Sequence, residues 1–204
     1  MQDAGSSAAT WRDCLWTATA DEPEVPSDAP ADADVVIVGG GFTGLSAALR
    51  LAEAGCSVTV LAARHVGIGA SGRNGGQIIP GLKLDPDAMG ARWGEDRGER
   101  AAAFAGGTAD LVFDLIERHA IQCLPRRHGW IQAAHSEASR RAGLARAEQS
   151  ARPGVAVETQ AAAARESQSG SAIYLGGWKD PRAGALHPLA YARGLARAAR
   201  AAGA

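Results

Sequence analysis

Lysine is nearly absent from this chain: only Lys83 and Lys179 occur, and arginine carries the remaining positive side chains. Lysine and arginine total 21 against 22 aspartates and glutamates, a net charge of −1. Such a balance gives no electrostatic reason to expect nucleic acid or an anionic membrane as partner. Cysteine is scarce too. Cys14, Cys56 and Cys123 are widely spaced with no Cys-x-x-Cys, so neither a disulfide framework nor a zinc site follows. Free thiols fit a reducing compartment, and the expected location is cytoplasmic. No apolar run approaches the roughly 18 residues that span a bilayer. Met1 to Arg12 lacks the basic start and apolar core of a secretory signal. His65, His119, His128, His135 and His187 show no i, i+3 or i, i+4 pairing, so no metal site is expected. There is no Gly-x-Ser-x-Gly elbow for a serine nucleophile and no Tyr-x-x-x-Lys pair.

Glycine is plentiful, with 26 residues, and its placement is informative. Val35-Val36-Ile37-Val38 runs directly into Gly39-Gly40-Gly41-Phe42-Thr43-Gly44, and a helical apolar pattern follows through Leu45, Ala48, Leu49 and Ala52. This is the first β-turn-α of a dinucleotide-binding fold. Gly39 allows the tight turn, Gly41 lets a pyrophosphate approach the backbone, and Gly44 lets helix and strand pack closely. The phosphates then meet the amides of Phe42, Thr43 and Gly44 at the positive end of the helix dipole. Gly55 stops the helix, and Val58-Thr59-Val60-Leu61 is the second strand, parallel to the first. A second glycine-rich loop follows. In it Ser71, Gly72, Arg73, Asn74, Gly75, Gly76 and Gln77 form a backbone able to wrap a flat ligand, with Arg73 available to phosphate and Asn74 to hydrogen bonds.

The domain organisation expected from pattern is an N-terminal arm over 1–33, a Rossmann-like cofactor domain over 34–120, part of a smaller α+β substrate domain over 121–182, and a returning helix over 183–204. The arm is rich in acid and proline, and Trp11 and Trp16 are candidates to anchor it. Asp85-Pro86 starts a helix. A long helix is expected over 95–119, with Phe104, Thr108, Leu111, Val112, Leu115 and Ile116 on one side and a kink at Gly106-Gly107. Strands are expected at Ile121–Leu124, Gly129–Ala134, Val155–Glu158 and Ala172–Trp178, and helices at 137–150 and 160–166. The last residues end just after a helix pattern, where a parallel sheet would need its next strand. The pattern is that of the front part of a larger protein.

Ala33 to Gly44, Val58 to Leu61 and Val66 to Gln77 together resemble the D-amino-acid-oxidase-like superfamily of FAD enzymes. Within it the chain is most similar to gamma-glutamylputrescine oxidoreductases and related amine oxidases. Gly81-Leu82-Lys83 with Asp85-Pro86-Asp87, Gly129-Trp130-Ile131-Gln132 and Leu186-His187-Pro188-Leu189 look like later stations of the same pattern. The resemblance implies FAD as cofactor and a small-molecule amine or amino acid as substrate, with oxidation of a C–N bond. It also implies that the residues facing the flavin ring lie outside this chain, so no catalytic residue is assigned and the isolated chain is expected to be inactive. His187, before Pro188, is expected to cap a helix rather than act as an acid–base catalyst.

One position departs from the pattern. Similar enzymes carry glutamate at the end of the second strand, against the adenosine ribose; here the residue is Ala62, followed by Ala63 and Arg64. Losing charge-assisted hydrogen bonds is expected to weaken cofactor binding by about 10- to 100-fold. Arg64 admits a 2′-phosphate, hence NADP, as a lesser alternative. A non-catalytic remnant with a nucleotide half-site is the other.

Overall fold

The computed structural model describes residues 14–25, 32–151 and 155–204. Trp11 lies outside them. In chain order the elements are α1 (Leu15–Thr19), β1 (Val35–Val38), α2 (Phe42–Glu53), β2 (Val58–Leu61), β3 (Gln77–Ile78), α3 (Pro86–Trp93), α4 (Glu95–Gly106), α5 (Thr108–Arg118), β4 (Trp130–Ala134), α6 (Glu137–Ser150), β5 (Glu158–Ala161), α7 (Ala162–Ser169), β6 (Gly176–Asp180), β7 (Gly184–Ala185) and α8 (Pro188–Ala201). They form two compact units. The first holds the chain up to Gly76, Phe113–Pro125 and Leu186–Ala204; the second holds Gln77–Val112 and Arg126–Ala185. This division differs from the expected domains: 77–112 group with the second unit, and Phe113–Pro125 with the first.

In the first unit β1 and β2 pair in parallel, Val35 opposite Val58 through Val38 opposite Leu61. α2 is the crossover between them. It buries Leu45, Ala48, Leu49 and Ala52, the spacing of one helical face. α8 packs beside α2 and buries most of its length, from Pro188 to Ala199. Alanine dominates α8, so the two helices have little side-chain bulk to separate them. Leu49 and Leu195 are the larger plugs, 1% and 0% exposed. The other face of the sheet is open: Val36 is 55% and Val38 86% exposed.

The second unit is built on an antiparallel sheet in the order β4-β6-β5. Trp130 and Trp178 meet edge to face across it at 5.4 Å. α6 begins in a capping box between Ser136 and Ser139. β3 and β7 make a short antiparallel ladder, extended by a bridge between Arg126 and Ala185.

Several sequence expectations change. The expected long helix is two helices, divided at Gly107. Thr108 Oγ1 donates to Ala105 O at 2.7 Å and Arg182 Nη1 to Gly106 O at 3.3 Å, so side chains take carbonyls that a continuous helix would use. Phe104 and Leu111 are exposed, 81% and 46%; the buried residues are Gly98, Ala105, Ala109, Leu115 and Ile116. Ile121–Leu124 is not a strand. Ala120 has φ +47° and Ile121 N–H returns to Ile116 O at 2.9 Å, a left-handed close to α5. Ile121 and Cys123 are apolar because they are buried, not because they pair. The strands expected at Val155–Glu158 and Ala172–Trp178 form later, as β5 and β6, and the helix expected at 160–166 runs to Ser169. α1 was not anticipated.

Gly194, within α8, sits against Ile121: a Cβ added there would fall 2.2 Å from Ile121 Cγ2. Alanine normally gains helix stability over glycine, but overpacking here should cost about 1–3 kcal/mol. Gly194→Ala is expected to lower the denaturation midpoint. Gly90→Ala in α3, where a Cβ meets nothing within 4 Å, is expected to leave it unchanged or raise it. Chemical denaturation of both variants checks the sign.

Candidate functional site

The site is built where β1 ends. Gly39 has φ +118° and donates its N–H to Leu61 O at 2.8 Å, so the chain turns at the carboxyl end of both strands. A Cβ on Gly44 would lie 2.1 Å from Gly39 O and 3.2 Å from Ile37 Cγ2. Strand, turn and helix are therefore as close as backbones allow.

The second glycine loop closes on this turn. Gly67 N–H donates to Gly40 O at 2.9 Å, and Phe42 N–H to Ser71 Oγ at 3.0 Å. A Cβ on Gly41 would stand 2.8 Å from that hydroxyl. Ser71 and Gly72 lie in a single 3-10 turn, Ala70–Gly72. Gly76 has φ +69°; its carbonyl accepts from Leu186 N–H at 2.8 Å, and an added Cβ would strike Leu186 O at 2.1 Å. Gly75 is exposed and meets nothing.

The amides of Thr43 and Gly44 have no hydrogen-bond partner among the described residues, and the first turn of α2 carries no acid. Unpaired amides at a helix N-terminus, with no Cβ at Gly41 above them, form a donor set that fits a pyrophosphate. This is the observation by which the residues fit a dinucleotide such as FAD.

Other expected site residues behave differently. Asn74 spends its side chain inside the loop: Nδ2 donates to Ala70 O and Ser71 O, and Oδ1 accepts from Gly76 N–H at 2.8 Å. It shapes the loop instead of offering itself to a ligand. Arg73 is exposed and reaches Gly69 O at 3.4 Å. Gln77 belongs to the second unit, where its backbone pairs with Ala185. Ala62 and Arg64 are exposed and line a groove of about 650 Å3 beside β2, together with Glu24, His65 and Val66.

His187 caps α8, as expected. Its Nδ1 accepts from Ala190 N–H at 3.1 Å, which leaves the proton on Nε2, 3.1 Å from Thr19 Oγ1. Trp16 lies edge-on to the imidazole at 4.8 Å, and its Nε1–H donates to Asn74 O at 3.0 Å. The arm is thus tied to both the glycine loop and α8. Burial pushes the His187 imidazole below its ordinary value and the Cys123 thiol up to about 12. Among the described residues no three His, Cys, Asp or Glu gather to hold a metal ion. No helix among them is long and apolar enough to cross a membrane.

Sequence reasoning missed the arm's carboxylates. Glu22 is 2% exposed and paired with Arg197, and Gln122 N–H donates to it at 3.1 Å. Its charged, proline-flanked context gave no sign of burial.

Residues 34–204 match the FAD dependent oxidoreductase family. The chain belongs to that family. The cofactor of this family is FAD, so the NADP reading of Arg64 gives way. A probable oxidoreductase, OrdL, of Haemophilus influenzae is 38% identical over 169 residues, covering 81% of this chain and 39% of that protein. The gamma-glutamylputrescine oxidoreductase of Escherichia coli is 35% identical over 167 residues, covering 82% and 39%. The chain thus spans about 39% of the length of these relatives. Among solved structures, the L-amino acid deaminase of Proteus myxofaciens superposes with a TM-score of 0.72 at 21% identity, covering 89% of this chain and 39% of that one. The glycine oxidase of Bacillus cereus gives 0.63 at 22%, covering 84% and 46%. At these identities the structures share the fold of this family member.

The His187 cap has a pH signature. Unfolded, the ring takes a proton as pH falls below its ordinary 6.5; folded, burial delays that step to lower pH. Between the two the unfolded chain binds more protons, so stability falls as pH falls. Asparagine keeps an acceptor at the cap and does not titrate. Melting at about pH 7.5 and about pH 5.5 is expected to show a larger loss for the wild type than for His187→Asn; equal losses would contradict the assignment.

Proposed function

We propose that this chain carries the pyrophosphate-binding part of an enzyme that oxidises the C–N bond of a small amine or amino acid. The observation that carries the reading is the cradle: the free amides of Thr43 and Gly44, open above Gly41 and braced by Ser71. The FAD pyrophosphate lies over Gly39, Gly41, Phe42, Thr43 and Gly44. Ser71 to Gly76 supply a rigid wall, because Asn74 and the Leu186 backbone fix their shape. Bound FAD supplies a two-electron acceptor for the hydride leaving the amine-bearing carbon, after which the imine product hydrolyses. The residues present here bind and orient; none is assigned to the transfer itself.

The relatives' names support an amine or amino acid as substrate, with gamma-glutamylputrescine oxidoreductase among those relatives. The three free cysteines support a cytoplasmic location. A second reading, a nucleotide-binding half-site without turnover, is favoured by the exposure of Val36, Val38 and Leu61 at 55%, 86% and 46%.

Gly41→Val tests the placement. The branched side chain collides with Ser71 Oγ and occupies the phosphate position. FAD affinity, measured by titration calorimetry, is expected to fall at least about tenfold, about 1.4 kcal/mol. Normal flavin binding in the folded variant would refute the placement.

A further inference from the structure

Ala62 stands at the end of β2, where a dinucleotide fold uses an acid for the ribose hydroxyls. The groove that runs beside β2, from Ser57 past Ala62 to Val66, has a carboxylate. Glu24, from the N-terminal arm, lines it together with Ala62, Arg64 and His65. The Glu24 carboxylate pairs with His65 Nδ1, three residues beyond Ala62. The two side chains are 42% and 43% exposed, so the carboxylate still faces solvent.

Glu24 is not on a loose tail. Two residues earlier, buried Glu22 accepts from Arg197 Nε at 2.5 Å and from Gln122 N–H at 3.1 Å. Arg193 Nη1 donates to Glu22 O at 3.2 Å. Still earlier, Trp16 and Thr19 bond to Asn74 and His187. The arm is therefore pinned at Trp16, Thr19 and Glu22, the last of these two residues before Glu24.

We propose that Glu24, oriented by His65, supplies the ribose-binding carboxylate that Ala62 cannot. This rests on the reading of Gly39–Gly44 as the FAD pyrophosphate site. A carboxylate has about four acceptor directions. His65 occupies one and fixes the group's orientation, leaving others for a ribose diol. The weakened cofactor binding expected from Ala62 alone is then largely restored by a residue from a different segment.

The test uses ADP, which shares the ribose and pyrophosphate of FAD, and 2′-deoxy-ADP, titrated calorimetrically into the wild type and variants. The wild type is expected to bind ADP about tenfold or more tightly than 2′-deoxy-ADP. In Glu24→Gln that preference should vanish, with ADP weakened by a similar factor and the melting transition retained. Adding Ala62→Glu to Glu24→Gln should bring both the affinity and the preference back. Ala62→Glu in the wild-type background should add little. If Gly41→Val abolishes ADP binding but Glu24→Gln keeps the hydroxyl preference, Glu24 is only a surface ion pair and this inference fails while the pyrophosphate site stands. If ADP binds equally well with and without Gly41→Val, or not at all to the wild type, the pyrophosphate site fails and this inference with it.

Discussion

The hydrogen bond from Phe42 N–H to Ser71 Oγ, across the gap above Gly41, holds the two glycine loops as one object. It consumes the first free amide of α2 and leaves the next two. It also sets how near Ser71 stands, so a Cβ at Gly41 would displace the Ser71 hydroxyl, 2.8 Å away. The rest of the first unit answers to this closure. Gly40 O and Gly67 N–H stitch the same loops from the other side. Gly76 and Leu186 carry the connection onward to α8. A side chain at Gly41 would crowd the Ser71 hydroxyl, and the first turn of α2 carries no carboxylate.

α8 and the arm hold the cradle from behind. Tyr191 meets Phe42 edge to face at 5.3 Å, so the first residue of α2 is braced by aromatic packing. His187 joins three tasks at one ring: it caps α8, bonds Thr19 and receives the edge of Trp16. Because the imidazole must stay neutral to accept from Ala190, this junction depends on exclusion of water. Glu22 adds a buried charge, offset by Arg197 and by the Gln122 amide. Removing one partner of such a pair costs more than the pair contributes, since the other charge is left buried.

The first strand, turn and helix of the first unit were legible from sequence because their signals are local. Val35–Val38 feeding Gly39, Gly41 and Gly44 specifies strand, turn and helix within a dozen residues. The apolar spacing of Leu45, Ala48 and Leu49 reports the face that is buried. His187 before Pro188 marked a helix start. What stayed hidden depends on contacts between distant segments. Ile121 and Cys123 looked like a strand because burial under α8 and pairing in a sheet demand the same apolar residues. Phe104 looked like core because helical spacing was extended through Gly107, where the helix is in fact interrupted. Asn74 looked like a ligand contact because its fourfold hydrogen-bonding capacity says nothing about who uses it. Glu22 and Glu24 were indistinguishable from a solvated acidic arm, because their partners lie about 40 to 175 residues away.

Amide hydrogen exchange with and without FAD reads directly where the cofactor meets the backbone. The amides of Thr43 and Gly44, and those of the Ser71–Gly76 loop, are expected to gain protection when FAD binds, ahead of any change in the second unit. FAD binding that leaves these amides exchanging at their unliganded rates, with protection gained elsewhere, would contradict the assignment of this turn as the cofactor cradle.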